Sequence, residues 1–119
     1  MRLVLLAATA ATALALGGVS TAGAAPITLV GTDGPGFHIV LTKSGKPLKV
    51  AKPGSYSLTV SDKSSLHNFH IFGPGLNKVV TTIAFVGKKT VSFKLKKGTY
   101  TYQCDAHAAL GMKGRFKVS

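Results

Sequence analysis

The sequence predicts an all-β fold, an antiparallel sandwich or small barrel of about eight strands, and three observations predict it. Period-two alternation of apolar and polar residues returns again and again after residue 25. Turn-forming clusters separate these stretches, among them GTDGPG, KSGKP, KPGS, SDKSS, GPGLN and KKG. No stretch sustains the 3.6-residue period of a helix.

Each element follows from its own pattern. Residues 27–30 form a short apolar first strand. In GFHIVLT, Phe37, Ile39 and Leu41 alternate with His38, Val40 and Thr42, so the apolar three are expected to face the core and His38 to point outward. SYSLTVS sets Tyr56, Leu58 and Val60 on one face. Segments 66–72 and 79–86 are less regular strands. TVSFKLK groups Val91, Phe93 and Leu95, and TYTYQC groups Tyr100, Tyr102 and Cys104. MKGRFKV groups Met112, Gly114, Phe116 and Val118.

The start of the chain is of another kind. Met1-Arg2 is a short basic opening, Leu3 to Leu16 is almost wholly Leu, Ala and Val, and small residues follow to Ala22-Gly23-Ala24. That order describes a secretory signal peptide over 1–24. The apolar run is shorter than the ~20 residues of a membrane span. The sequence has no twin arginine, and no cysteine near residue 24 to carry a lipid. The exported domain, 25–119, then has about 95 residues and one core, and is expected to act as a monomer without a transmembrane segment in the periplasm, at the cell envelope or outside the cell.

Charge is lopsided. Without Arg2, fourteen Lys and Arg face only Asp33, Asp62 and Asp105, and glutamate is absent. Nucleic acid is the first partner such a balance raises. Export argues against it, and so does the scatter of lysines between apolar residues, as in VSFKLKK, which is the pattern of a strand's solvated face. An anionic partner or an anionic cell surface is the alternative.

The chain holds one cysteine, Cys104, bound for an oxidising compartment where cysteines usually pair. An intermolecular disulfide, an inert buried thiol and a metal-bound thiolate compete as its explanation. In YQCDAHAALGM, His107 follows Cys104 by three residues and Met112 follows His107 by five. A trigonal His2Cys set with a weak axial Met marks a blue-copper electron-transfer centre. Its second histidine must come from elsewhere. In LHNFHIF, His67 shares strand parity with Phe69 and Ile71, so it points inward, while Asn68, His70 and Phe72 fall on the opposite face.

HNFHIF followed by YQCDAHAALGM resembles the cupredoxin (type 1 blue copper) family, most of all its plastocyanin- and pseudoazurin-like members, over essentially the whole exported part. The resemblance implies a Greek-key β-sandwich and one type 1 copper ion. It implies that His67, Cys104 and His107 bind the ion in a plane with Met112 axial, and that Asn68 hydrogen-bonds to the cysteine loop at Asp105. It implies that His107 is the electron port, ringed by Ala106, Ala108, Ala109 and Leu110, with Gly73 to Leu76 nearby. Where plastocyanin has a tyrosine before the cysteine and an acidic patch, this chain has Gln103 and almost no acids. Its redox partner proteins are therefore expected to be acidic where they dock.

The rival readings use the same residues. Zinc also accepts His2Cys and a fourth ligand, though the methionine favours copper. A Cys–His nucleophile pair lacks an orienting third group, and one small domain cannot supply the histidine clusters of a multicopper enzyme, so the protein is expected not to be an enzyme. The main functional alternative to an electron carrier is a copper carrier or copper-buffering protein.

Overall fold

The computed structural model describes residues 24–119, and the expected signal peptide lies almost wholly outside them. Two five-stranded sheets face each other. The first has the order β3 (Lys46–Pro47), β2 (Ile39–Lys43), β1 (Ile27–Asp33), β5 (Gly54–Asp62), β8 (Gly87–Leu95). The second has the order β4 (Val50–Ala51), β10 (Lys113–Val118), β9 (Gly98–Gln103), β6 (Phe69–Gly73), β7 (Leu76–Thr81). The only helical element among the described residues is the 3-10 turn Ala108–Leu110.

The alternation seen in the sequence becomes the core between the sheets. Tyr56, Leu58 and Val60 of β5 are buried, as are Tyr100 and Tyr102 of β9 and Phe116 and Val118 of β10. They meet Leu29, Leu41, Phe69 and Ile71. Two aromatic stacks cross this core, Phe69 with Tyr102 and Tyr100 with Phe116. On β8 only Leu95 is fully buried, while Val91 and Phe93 pack partly against the core, because β8 is an edge strand with a neighbour on one side.

Several expectations are corrected. The sandwich is not purely antiparallel: β1 pairs with β5 in parallel, and so does β4 with β10. Between β1 and β5 the chain leaves for the other sheet at β4 and returns, and such a crossover allows a parallel pairing that a tight hairpin forbids. Ten strands stand where about eight were expected, because β3 and β4 are two-residue pieces without a readable period. The strand expected at 66–72 is Phe69–Gly73, and the one expected at 79–86 is Leu76–Thr81. Phe37 is not a core residue: β2 begins only at Ile39, and Phe37 is 62 % exposed.

Strand register fixes the two ends of the sandwich. Asp33 lies beside Asp62, Asp62 opposite Gly87, Phe69 opposite Thr81, and His70 opposite Gln103. The loops 34–38, 63–68, 82–86 and 104–112 therefore gather at one end, called here the loop end. At the other, Gly54 lies opposite Leu95 and Gly98 opposite Val118. The turns at 52–53, 74–75 and 96–97 gather there, at the turn end.

Candidate metal centre

The loop end brings together three of the four residues singled out by their chemistry. His67 Nδ1 and His107 Nδ1 are 3.0 Å apart. Cys104 Sγ lies 3.4 Å from His107 Nδ1 and 3.8 Å from His67 Nδ1. His67 and Cys104 are buried and His107 is half-buried. Three donors in a plane around one ion, each about 2.0–2.3 Å from it, lie about 3.6 Å from one another. The observed triangle has that size, and its soft thiolate and two imidazoles are a copper-type donor set.

Local sequence explains each placement. His67 sits two residues before β6 on a turn held by short polar side chains. Ser64 N–H donates to Asp62 Oδ1, and Leu66 N–H donates to Ser64 Oγ. Gly34 packs against this turn with a left-handed φ of 69°, and a Cβ there would come 3.2 Å from His67 Cδ2. Only glycine meets both demands easily.

The 104–112 loop closes on itself. Cys104 N–H donates to Met112 O at 3.1 Å, His107 N–H to Cys104 O at 3.1 Å, and Met112 N–H to His107 O at 3.2 Å. Gly111 ends the 3-10 turn in the left-handed region. These bonds carry His107 back over Cys104 and set Met112, fully buried, beside it along the chain.

Asn68 clamps this loop to the strand before it. Its Nδ2 donates to Asp105 Oδ2 at 3.0 Å, and its Oδ1 accepts from Asp105 N–H at 2.7 Å. The expected Asn68–Asp105 link is therefore present. It needs Asn68 inside, and Asn68 is buried although strand parity set it on the outer face. The strand starts one residue later, so parity does not reach it.

His70 faces away from the triangle, as expected. It bonds Asp105 Oδ1 through Nδ1 at 2.9 Å and Asn77 Oδ1 through Nε2. Burial pulls its pKa down, but the bonds to Asn77 and Asp105 and the Asp105 charge outweigh this and raise it. Asp105 is pushed up by burial, yet the bonds from Gln103, His70 and Asn68 and the His70 charge hold it below the usual carboxylate range.

Two features were not anticipated. Phe37 stands edge-on to both imidazoles, its ring centroid 4.8 Å from that of His107 and 5.6 Å from that of His67. The only sequence signal was its place after the GPG turn, where a strand reading should have stopped. The second concerns Gly73 to Leu76, expected near His107. This segment lies at the turn end, where Tyr100 Oη donates to Pro74 O and Pro74 packs on Gly98. The strand β6 separates it from His67 by its whole length.

Fold and site together define a small copper-binding β-sandwich. Residues 41–119 match the family of copper binding proteins that includes plastocyanin and azurin, and the chain belongs to that family. Among solved structures it is similar to rusticyanin from Thiobacillus ferrooxidans, at 26% identity and a TM-score of 0.57 over 77% of this chain and 76% of that one. It shares the fold of reduced auracyanin from Roseiflexus castenholzii, at 21% identity and a TM-score of 0.52 over 81% of this chain and 99% of that one. In the comparison with curated proteins, none matches. The cofactor is copper, and the cluster of His67, Cys104 and His107 is the place built for it.

Proposed function

We propose that this is an exported small blue copper protein that carries single electrons between redox partners through one type 1 site. His67, Cys104 and His107 would hold the ion, and Met112 would add a weaker thioether donor. The observation that carries this reading is the triangle itself: one buried thiol and two imidazoles, all within 4.8 Å of one another. The bound ion contributes a one-electron couple between Cu(I) and Cu(II).

The protein's own residues do the rest. The Asn68–Asp105 bonds and the closed 104–112 loop hold the donors still, which keeps reorganisation small when the charge changes. Buried Phe69, Tyr102 and Met112 exclude water from the inner side. His107 is half-buried, and Phe37 and Leu110, the latter 74 % exposed, give the loop end an apolar surface. A small patch of that kind suits brief docking. With so few acids on the chain, an electrostatically guided partner is acidic. The leader 1–24 accounts for export to the periplasm, the envelope or beyond, and the domain 25–119 acts as a monomer without enzymatic activity.

The test is an optical and EPR spectrum of the copper-loaded protein with a reversible potential measurement. An intense blue thiolate-to-copper band, abolished in Cys104→Ala, is expected. A colourless protein that retains only zinc would refute the blue-copper reading. A blue protein without a reversible couple would make it a copper carrier instead.

A further inference from the structure

Lysines line both ends of the sandwich, but Lys63, Lys88, Lys89 and Lys113 share the loop end with the aspartates, and the turn end differs. Register sends six others, Lys49, Lys52, Lys94, Lys96, Lys97 and Lys117, to the turn end or its rim, all exposed and contributed by both sheets. No acidic residue lies there. Asp33, Asp62 and Asp105 are all at the loop end, and two of them are buried. Among the described residues the one ion pair joins His70 and Asp105, so none of the six lysines is neutralised by a carboxylate.

The chain also enters the fold here. Ala24, Ala25 and Ile27 lie against Pro53, Gly54 and Ser55, and Gly54 and Ser55 continue into a groove edged by Pro74, Gly75, Lys94 and Lys96. We propose that the turn end docks on an anionic lipid bilayer surface and holds the loop end, with His107, outward toward soluble partners. Lysines spread over a whole end of the molecule fit a broad charged plane better than a pocket for one acidic side chain. Each lysine within a Debye length of an anionic bilayer adds to the attraction, and those at the loop end lie beyond that distance. This goes beyond the electron-carrier reading and does not rest on it, since the metal plays no part in the contact.

The test is sedimentation of the exported domain 25–119, with and without copper, on vesicles of phosphatidylcholine alone and with about a quarter phosphatidylglycerol. Two variants of equal charge change are compared: Lys52→Ser with Lys94→Ser, Lys96→Ser and Lys97→Ser, against Lys63→Ser with Lys88→Ser, Lys89→Ser and Lys113→Ser at the loop end. Binding that requires phosphatidylglycerol is expected, weakened about tenfold or more by the first variant and less than about twofold by the second. Equal weakening by both variants, equal binding to phosphatidylcholine alone, or no binding would overturn the proposal. So would poly-aspartate binding as tightly as the anionic vesicles with the same lysine dependence, which would assign the surface to an acidic protein.

Discussion

Replacing Asp33 by Asn should make this protein more stable above neutral pH, and should flatten its stability against pH. Asp33 and Asp62 are register neighbours on parallel strands, 0 % and 2 % exposed. Neither Asp33 carboxylate oxygen has a partner at ordinary hydrogen-bond geometry, nor has Asp62 Oδ2. Burial first, and then the adjacent Asp62 carboxyl, push the pKa of Asp33 from 3.8 up to about 7. The Asp33 carboxyl therefore keeps its proton in the folded state well above the usual carboxylate range. The folded state then binds more protons than the unfolded chain between those two values, so stability falls as pH rises through that window.

At about 1.4 kcal/mol per pKa unit, the loss from pH 4 to pH 8 has a ceiling of about 4 kcal/mol. That is a large part of the 5–15 kcal/mol of a typical domain. The assay is urea unfolding of the metal-free protein at several pH values between about 4 and 8, for the natural chain and for Asp33→Asn and Asp62→Asn. The histidines contribute alike to all three, so the differences isolate the pair. The natural chain should lose a few kcal/mol more than Asp33→Asn across the window. Parallel stability curves for the natural chain and Asp33→Asn would refute the argument.

Three further outcomes follow from the site and the core. His70→Ala should keep the blue colour while His67→Ala loses it, checked by absorbance after copper loading, because only His67 faces the thiol. Asn68→Ala removes both bonds to Asp105 and strands a backbone N–H, which should cost about 1–3 kcal/mol in denaturant unfolding and shift the reduction potential. Gly114→Ala would drive a Cβ into the Tyr102 ring, well inside van der Waals contact, so a loss of at least about 1–3 kcal/mol is expected, seen as a lowered thermal midpoint.

Much of the fold was legible because a sandwich writes its core into alternate residues. Tyr56, Leu58 and Val60, or Tyr100, Tyr102 and Cys104, each have one buried face, and the period-two pattern states which. The same parity turned His70 outward, but His67 lies ahead of β6, where the turn at 63–68 and not alternation directs it to Cys104. Parity failed where the chain was not yet a strand. Phe37 and Asn68 both lie just ahead of β2 and β6, so alternation assigned each to the wrong side. It was also silent on distance along a strand, which is why Gly73 to Leu76 was set beside a histidine at the opposite end.

What the sequence determined by itself is chemical and local: an all-β chain, a single thiol with an imidazole and a thioether at C-x2-H-x4-M spacing, and a large excess of lysine over acid. These depend only on residue type and separation. The tertiary structure decided what depends on which strands are neighbours. Register carries His67 to Cys104 and Phe37 over both imidazoles. It presses Asp33 against Asp62 and collects six lysines at the end where no acidic side chain lies. Pairing across sheets joins residues thirty or forty apart in sequence, and no local pattern encodes that choice, because it is made by the packing of all the strands at once.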